Sequence, residues 1–528
     1  MGPAATRRSS VSEHHPIVIV GAGPVGLSAA LELAALDRPS VLLEMRSAES
    51  DGSRAICWSQ RTLEIWKRVG VAQPVIDRGV TWQVGKVFYE EDLAYEFDLQ
   101  PEPGFAMPAF VNLQQNIVEG LLLEAVEAAG VIDLRWATTV TESSSTDEQA
   151  TLTVDGPDGS YVISCDWLIA ADGARSTVRR DAGLSLIGRT FEDKFLISDI
   201  RMTGTMPTER WFWFDPPFHQ GRSTLLHRQS DDVWRVDFQL GRDVDPEEET
   251  DPERIKKRIQ AMFGDDIEFE IEWVSIYRFQ SRHLENFRHR RVLFAGDSAH
   301  QVSPFGARGA NAGIQDAENL VWKLDLVMSD AAPESLLDTY SDERVYAAAE
   351  NLAVTTQTID FMTPQSDTDL ALRTATLGLA RRHGFARPLV NSGRLSVATV
   401  HHGSPLSTAD SAVFEGDVEL GGPVLDAPVH GSNGDWLLDY VGREFVLLFY
   451  GSTSDVPAGL PPDLRVVAVG EGGDIVDISG LVAKRLGWSE GCGVLVRPDQ
   501  HLAARWKSVT IAGVVAGLAR ARGMAEAA

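Results

Sequence analysis

Cysteine is scarce in this chain: Cys57, Cys165 and Cys492 are its only three in 528 residues. They stand far apart, with neither a CxxC pair nor Cys/His ligand spacing, which argues against a disulfide framework and a structural zinc site. No metal ligand set is expected, and a reducing cytoplasm fits this usage best. Positive charge is also short, with 48 Lys and Arg against 76 Asp and Glu and a formal net charge of −28. That balance argues against nucleic acid or an anionic membrane as the main partner, and an anionic small ligand must find a local positive site. Long apolar runs are missing too, since none approaches the roughly 18 residues of a membrane-spanning helix. The head, residues 1–15, holds Arg7 and Arg8 without an apolar core behind them, so it reads as a disordered tail and not an export signal.

What remains is the composition of an ordinary globular protein, 44% hydrophobic and 23% charged. Its length allows about three to four average domains.

Residues 16–20 form a β-branched apolar run that flows into Gly21-Ala22-Gly23-Pro24-Val25-Gly26 and an apolar helix, and a second strand over 40–43 ends in Glu44. Strand, GxGxxG, helix, strand and acid in that order form a dinucleotide fingerprint. Gly21 makes the tight turn, Gly23 admits a pyrophosphate, Gly26 permits helix-strand packing, and Glu44 reaches a ribose hydroxyl. By itself the fingerprint does not separate FAD from NAD. Only one such motif is present. Residues 167–170 read as another buried strand, ending in Ala171-Asp172-Gly173-Ala174-Arg175. A third strand, 292–295, leads through Gly296-Asp297 and a glycine-rich loop into a long helix. Backbone amides at the mouth of a helix that starts behind Gly306, Gly309 and Gly313 can approach a planar or anionic ligand closely.

The third run, with Gly296, Asp297, Ala299, His300, Pro304, Gly306, Gly309, Asn311, Gly313, Asp316, Ala317, Asn319, Leu320 and Lys323, resembles the third FAD-binding motif of the single-component flavoprotein aromatic hydroxylases. These are the para-hydroxybenzoate, phenol and 3-(3-hydroxyphenyl)propionate hydroxylase type. Asp172-Gly173 resembles the second motif of that family, associated with both FAD and passing NAD(P)H. The resemblance covers residues 16–390 well and the tail weakly.

It implies non-covalent FAD, NAD(P)H as co-substrate docking transiently without a Rossmann domain of its own, and O₂. The implied reaction runs through a flavin C4a-hydroperoxide to hydroxylation of a phenolic, carboxylated aromatic ring. It further places Arg54 near the flavin and its phosphates, Gln115 with Glu119 on the sugar-phosphate side (Gln114 being an equal bearer), and Asp297 on the ribityl chain. The backbone of Gly309, Ala310 and Asn311 is expected at the pyrimidine end, with Pro304 in the same loop and Arg308 adding charge. Phenol hydroxylases carry a catalytic aspartate just after the position of Arg54, but here Ile56 and Cys57 follow, so that base is not carried over.

Substrate contacts are expected from a middle sheet with candidates His227, Arg228, Arg235, Asp237 and Tyr277. Among these a His or Tyr, His227 or Tyr277, is wanted to take the phenol proton, and His227 and Arg235 are the expected catalytic residues, with Arg235 the partner of a substrate carboxylate. Arg210-Trp211-Phe212-Trp213-Phe214 is only loosely similar to a halogenase tryptophan motif and reads as core aromatics.

The expected fold is α/β. A Rossmann-like FAD-binding domain of the glutathione-reductase type (16–80, 111–184 and 286–402) is interleaved with a substrate-binding sheet domain (81–110 and 185–285). A linker (403–430) then leads to a tail (431–528) that resembles the thioredoxin-like C-terminal domain of phenol hydroxylases. Without a CxxC that tail is expected to be structural or a contact between copies in a homodimer. Two rival functions share these motifs: a monooxygenase acting on a larger polyketide-like substrate, and a non-catalytic flavin sensor.

Overall fold

The computed structural model describes residues 12–48, 55–202, 207–390 and 395–524. Its first sheet has eight strands, with Arg288–His289, Val292–Phe294, Gly159–Ala170, Ser12–Val20, Ser40–Leu43 and Ile132–Arg135 side by side. The inner strands run parallel and are buried on both faces, which is why 17–20, 40–43 and 167–170 read as unbroken apolar runs and not as alternation. Pairing begins at Ser12, opposite Val162, so the first strand reaches into the segment expected to be a disordered tail. Main-chain hydrogen bonds to a neighbouring parallel strand explain the extension.

Register in this sheet positions the motifs. Leu43, Val20, Ala170 and Phe294 stand in one row across four parallel strands. The turns that follow them, carrying Glu44, Gly21, Asp172 and Asp297, therefore emerge together along the carboxyl edge, where open parallel sheets bind ligands.

Behind that edge runs the helix Gly309–Met328, in which 14 of 20 residues are buried. Close approach to the first helix, Pro24–Ala34, depends on a missing side chain. A Cβ on Gly313 would lie 2.6 Å from Val25 Cγ2.

A second, mostly antiparallel sheet also has eight strands. Its order is His300–Gln301, Glu270–His283, Ile187–Arg201, Val233–Gln239, Ser223–Arg228, Arg210–Phe214, Val84–Tyr89 and Asp92–Asp98. Its back is apolar, with Leu196, Leu226, Trp234, Val236 and Phe238 packed under Ile255 and Ile259 of the helix Pro252–Phe263. Each such buried side chain contributes about 1.5–3 kcal/mol, so the back face is where this sheet gains its stability. Residues 81–110 do not all join it, because Phe110–Asn112 pairs with both Val80–Trp82 and Cys57–Ser59 in a separate three-stranded sheet. The tail holds a six-stranded mixed sheet closed by the helix Ile511–Ala521. The expected linker is packed, not free: Val418, Val424 and Ala427 are buried in the core of this last sheet.

Candidate active site

The dinucleotide turn is built as its glycines require. Gly21 has φ 102°, and a Cβ there would come within 2.4 Å of the Ala171 carbonyl oxygen. At Gly26 a Cβ would sit 1.9 Å from the Gly21 oxygen, whereas at Gly23 it would meet nothing within 4 Å. The first two glycines are thus demanded by packing, and the third leaves an open cradle before the amides of a helix that begins at Pro24. Glu44 is buried and accepts the Ala22 N–H at 2.7 Å and the Arg46 Nε at 2.9 Å. Burial alone would raise its pKa, but these donors outweigh burial and hold the carboxyl below its usual range.

Gln115 accepts from the Ala55 N–H at 3.0 Å and donates to Glu119 at 2.8 Å. Gln114 instead accepts from Ser230 Oγ at 2.8 Å, facing the second sheet. Asp172 caps the short helix Thr177–Asp181, with Oδ2 3.2 Å from the Val178 amide, while its buried Oδ1 has no partner among the described residues. Burial raises the pKa of that carboxyl. Arg179 joins the second motif to the third by donating to the Ser298 carbonyl at 2.8 Å. Arg54 lies outside the described residues.

Asp297 sits in the turn Gly296–Ser298, directly after the strand Val292–Phe294. Pro304 opens the next turn by accepting from the Ala307 amide at 3.0 Å. Arg308, 2% exposed, donates to Asn351 at 2.7 Å and is therefore a buried charge, not a surface one. Beyond it the amides of Gly309, Ala310 and Asn311 begin the long helix, where the first turn has no intrahelical acceptors.

The Asn311 side chain is spent elsewhere. Its oxygen accepts from the Ser59 amide (2.9 Å) and Thr62 Oγ1 (2.6 Å), and its nitrogen donates to the Cys57 carbonyl (2.9 Å). Only its backbone is left for a ligand, and the side chain clamps residues 57–62 against the helix mouth. This clamp was not legible from spacing, because it joins positions about 250 residues apart.

Between the second sheet and the helices after residue 336 lies a cleft that opens to solvent. Tyr95, Phe97, Phe212, Phe214, Phe305 and Gly306 line it, with Arg210 and Met362. The strand Arg210–Phe214 therefore does more than supply core aromatics. Alternation sends Arg210, Phe212 and Phe214 to the cleft, while Trp211 and Trp213 pack toward the apolar back of the sheet.

Cross-strand register then brings Arg210, His227, Arg235 and Asp199 into one row on the front face. Arg235, the expected partner of a substrate carboxylate, is already engaged: its Nε and Nη2 each bond Asp199 at 2.7 Å, a bidentate buried pair. That expectation is corrected, and the reason is a register contact between strands that sequence spacing does not reveal. His227 is 3% exposed, and burial first, then Arg210 and Arg235, push its pKa well below the ordinary value, so the ring is neutral. Asp237, one strand-step further on the same face, has its pKa pushed up to about 6 by burial, which the nearby Arg235 and Arg210 only partly offset. Arg228 is half-buried and pairs with Asp232 at 2.9 Å, and Tyr277 packs at a tilt beside Phe279.

The open cradle at Gly23, the buried carboxylate of Glu44 and the helix-mouth amides of Gly309 to Asn311 suit a dinucleotide such as FAD. A family model described as FAD binding domain matches residues 14–355. The chain belongs to that family. Among curated relatives, the chain is 30% identical over 338 residues to a probable NADH-specific resorcinol 4-hydroxylase of Rhodococcus jostii, covering 62% of each chain. It is 28% identical over 523 residues to the 6-methylpretetramide 4-monooxygenase of Streptomyces rimosus, covering 93% of this chain and 90% of that one. Among solved structures, the flavin-dependent monooxygenase PieE, crystallised with FAD and substrate, superposes with a TM-score of 0.80 at 23% identity, covering 97% of this chain and 99% of that one. The protein is thus an FAD-binding enzyme of the flavin-dependent monooxygenase family, akin to the single-component aromatic hydroxylases. Among the described residues no cluster of His, Cys, Asp or Glu is arranged to hold a metal, and no helix is long and apolar enough to cross a membrane.

Proposed function

We propose that this protein hydroxylates a phenolic aromatic substrate, using NAD(P)H and O₂. The observation that carries this reading is the shared wall of two sites. Phe305 and Gly306 line the aromatic cleft and also open the loop that leads to the helix-mouth amides of Gly309 to Asn311. A flat ring held in the cleft is thereby presented to the third FAD motif.

Bound FAD supplies hydride acceptance and activation of O₂. The chain's own residues do the rest. Amides of the helix mouth, reinforced by the helix dipole and the buried Arg308, stabilise negative charge on the pyrimidine side. The ribityl chain falls to Asp297, the adenosine ribose to Glu44, and the sugar-phosphate side to Gln115. Asp172 borders the same edge. Phenylalanines of the cleft exclude water. Asp237 exchanges a proton near neutral pH at Oδ1 and so provides a place for the proton of the substrate hydroxyl.

A larger fused-ring substrate is the second reading. Support comes from the match to the 6-methylpretetramide enzyme, which runs through the tail, whereas the match to the resorcinol hydroxylase covers 62% of this chain. One screen tests both: NADH or NADPH oxidation, O₂ uptake and product mass with single-ring phenols, phenolic acids and fused tricyclic phenols. A product heavier by one oxygen is expected from at least one class. NAD(P)H oxidation without any oxygenated product, or a bound FAD that neither nucleotide reduces, overturns the reading.

A further inference from the structure

The front face of the second sheet holds two nine-tenths-buried side chains with polar atoms that no described residue satisfies. Arg210 is 8% exposed and lines the cleft, yet its side chain makes no hydrogen bond or ion pair among the described residues. Its cross-strand neighbour His227 is 3% exposed, and its Nε2 has no partner among the described residues. Unpaired buried donors cost free energy in a resting protein and persist where a ligand completes them.

The sign of that ligand follows from the other side of the imidazole. His227 Nδ1 lies 3.6 Å from Cys57 Sγ. A buried thiol, whose pKa is pushed up to about 11, keeps its proton and can donate it to the ring nitrogen. With Nδ1 accepting, the imidazole proton sits on Nε2, which makes His227 a donor beside Arg210. Cys57 adjoins the cleft, since it packs in one cluster with Leu395, which lines it. Further along the row, Arg235 is neutralised by Asp199, whereas the Arg210 side chain has no bonded partner among the described residues, and the buried Asp237 acts on it only through space.

Resting on the reading above, we infer that Arg210 and His227 form an acceptor-binding subsite that selects substrates bearing an anionic oxygen, a carboxylate or an ionised ring hydroxyl, with Cys57 as the positioning residue that fixes the His227 tautomer. His227 is then a hydrogen-bond donor to substrate rather than its base.

The test uses FAD-loaded full-length protein and matched probes, read by the change in flavin fluorescence on titration. The probes are 3-hydroxybenzoate against 3-hydroxybenzamide, anthraquinone-2-carboxylate against its carboxamide, and 4-nitrophenol against 4-nitroanisole. For at least one pair the wild type binds the anion about tenfold or more tightly than the neutral partner, as a charge-assisted fork demands. The first two pairs report a carboxylate, and the third an ionised hydroxyl. In Arg210→Gln that preference falls about tenfold, with the neutral probe's affinity and FAD content kept. Arg210→Lys, which keeps charge but loses the fork, lies between. Cys57→Ala weakens the preference by a factor of about two to five and Cys57→Ser restores it, which a packing role alone does not do.

Equal binding of anion and neutral partner in the wild type for all three pairs, or an unchanged ratio in Arg210→Gln, overturns the inference. Product formation is scored separately. Anion preference without oxygenation refutes the proposed function and leaves the subsite standing, and oxygenation with no dependence on Arg210 does the reverse.

Discussion

Two buried clusters of charge, one at the junction with the tail and one on the front of the second sheet, are built in opposite ways. At the junction with the tail the carboxylates and cations pair with one another, although both ring nitrogens of the buried His401 beside them have no partner among the described residues. Arg497 grips Glu343 at 2.6 and 2.9 Å, Lys323 reaches the same carboxylate at 2.8 Å, and Asp499 accepts from Trp322 at 3.1 Å. Arg61 adds a bond to Glu318 at 2.6 Å and another to the Asp499 carbonyl at 2.7 Å. On the front of the second sheet, the Arg210 side chain, His227 Nε2 and Asp237 Oδ1 have no hydrogen-bond partner among the described residues. Satisfied networks fix how parts of a chain meet, whereas unsatisfied ones wait for something that is not the chain.

Two aspartates show the same contrast in one residue type. Burial would raise both, but Asp316 accepts from His300, Arg344 and the Gly296 amide and is held down at about 2. Asp237 lacks such donors and is pushed up to about 6. One carboxylate belongs to the scaffold and the other to the site.

Cutting the satisfied side has the largest effect. Glu343→Ala strands Arg497 and Lys323 and is expected to cost about 3–5 kcal/mol, read by urea unfolding, with the tail becoming the first segment cleaved by protease. A loss below about 1 kcal/mol, the size of a surface pair, erases the difference between the two clusters.

The open side gives a stability change with a definite pH sign. Asp237 has a folded pKa above its unfolded value, so the folded state holds a proton that the unfolded state releases between about pH 4 and 6. Stability from this group is present below pH 4 and lost as pH rises to 6, on the order of 2–3 kcal/mol. Asp237→Asn therefore gains on the wild type across that window in pH-resolved unfolding curves. Asp316→Asn behaves in the opposite sense, because the depressed Asp316 contributes stability above about pH 4 that disappears as pH falls toward 2. Parallel curves for the two variants contradict the contrast.

How much of this was legible beforehand divides along the same line. The nucleotide edge could be read because Gly21, Gly23, Gly26 and Glu44 act within one strand-helix-strand unit, where each residue's job is local. The Asp199–Arg235 pair could not, since it depends on the register of strands 36 residues apart. Nor could the Cys57–His227 contact, which spans 170 residues. Period-two alternation in Arg210 to Phe214 carried the missing signal, and it was masked by reading five bulky residues as one apolar unit. The tail junction depends on a turn near Asp499 that meets the FAD region only in three dimensions.

A smaller effect sharpens the cofactor side. Asp297→Ala is expected to weaken FAD binding by roughly 1.5–3 kcal/mol, the range for a hydrogen bond to a charged group, with folding intact, as followed by FAD retention on dialysis. Full retention removes Asp297 from the ribityl chain. Smaller still, Arg308→Met lowers the flavin potential by a few tens of millivolts, since about 30 mV corresponds to 1.4 kcal/mol for two electrons, and it slows anaerobic reduction while FAD content holds.

The central claim is that the protein delivers oxygen from O₂ to a ring held against the third motif. It is tested most directly by turning over FAD-loaded enzyme under isotopically labelled O₂ with the best substrate of the phenol screen. The account predicts one labelled oxygen in the ring product, formed in step with NAD(P)H oxidation. Labelled hydrogen peroxide as the sole product, or a ring oxygen drawn from unlabelled water, contradicts it.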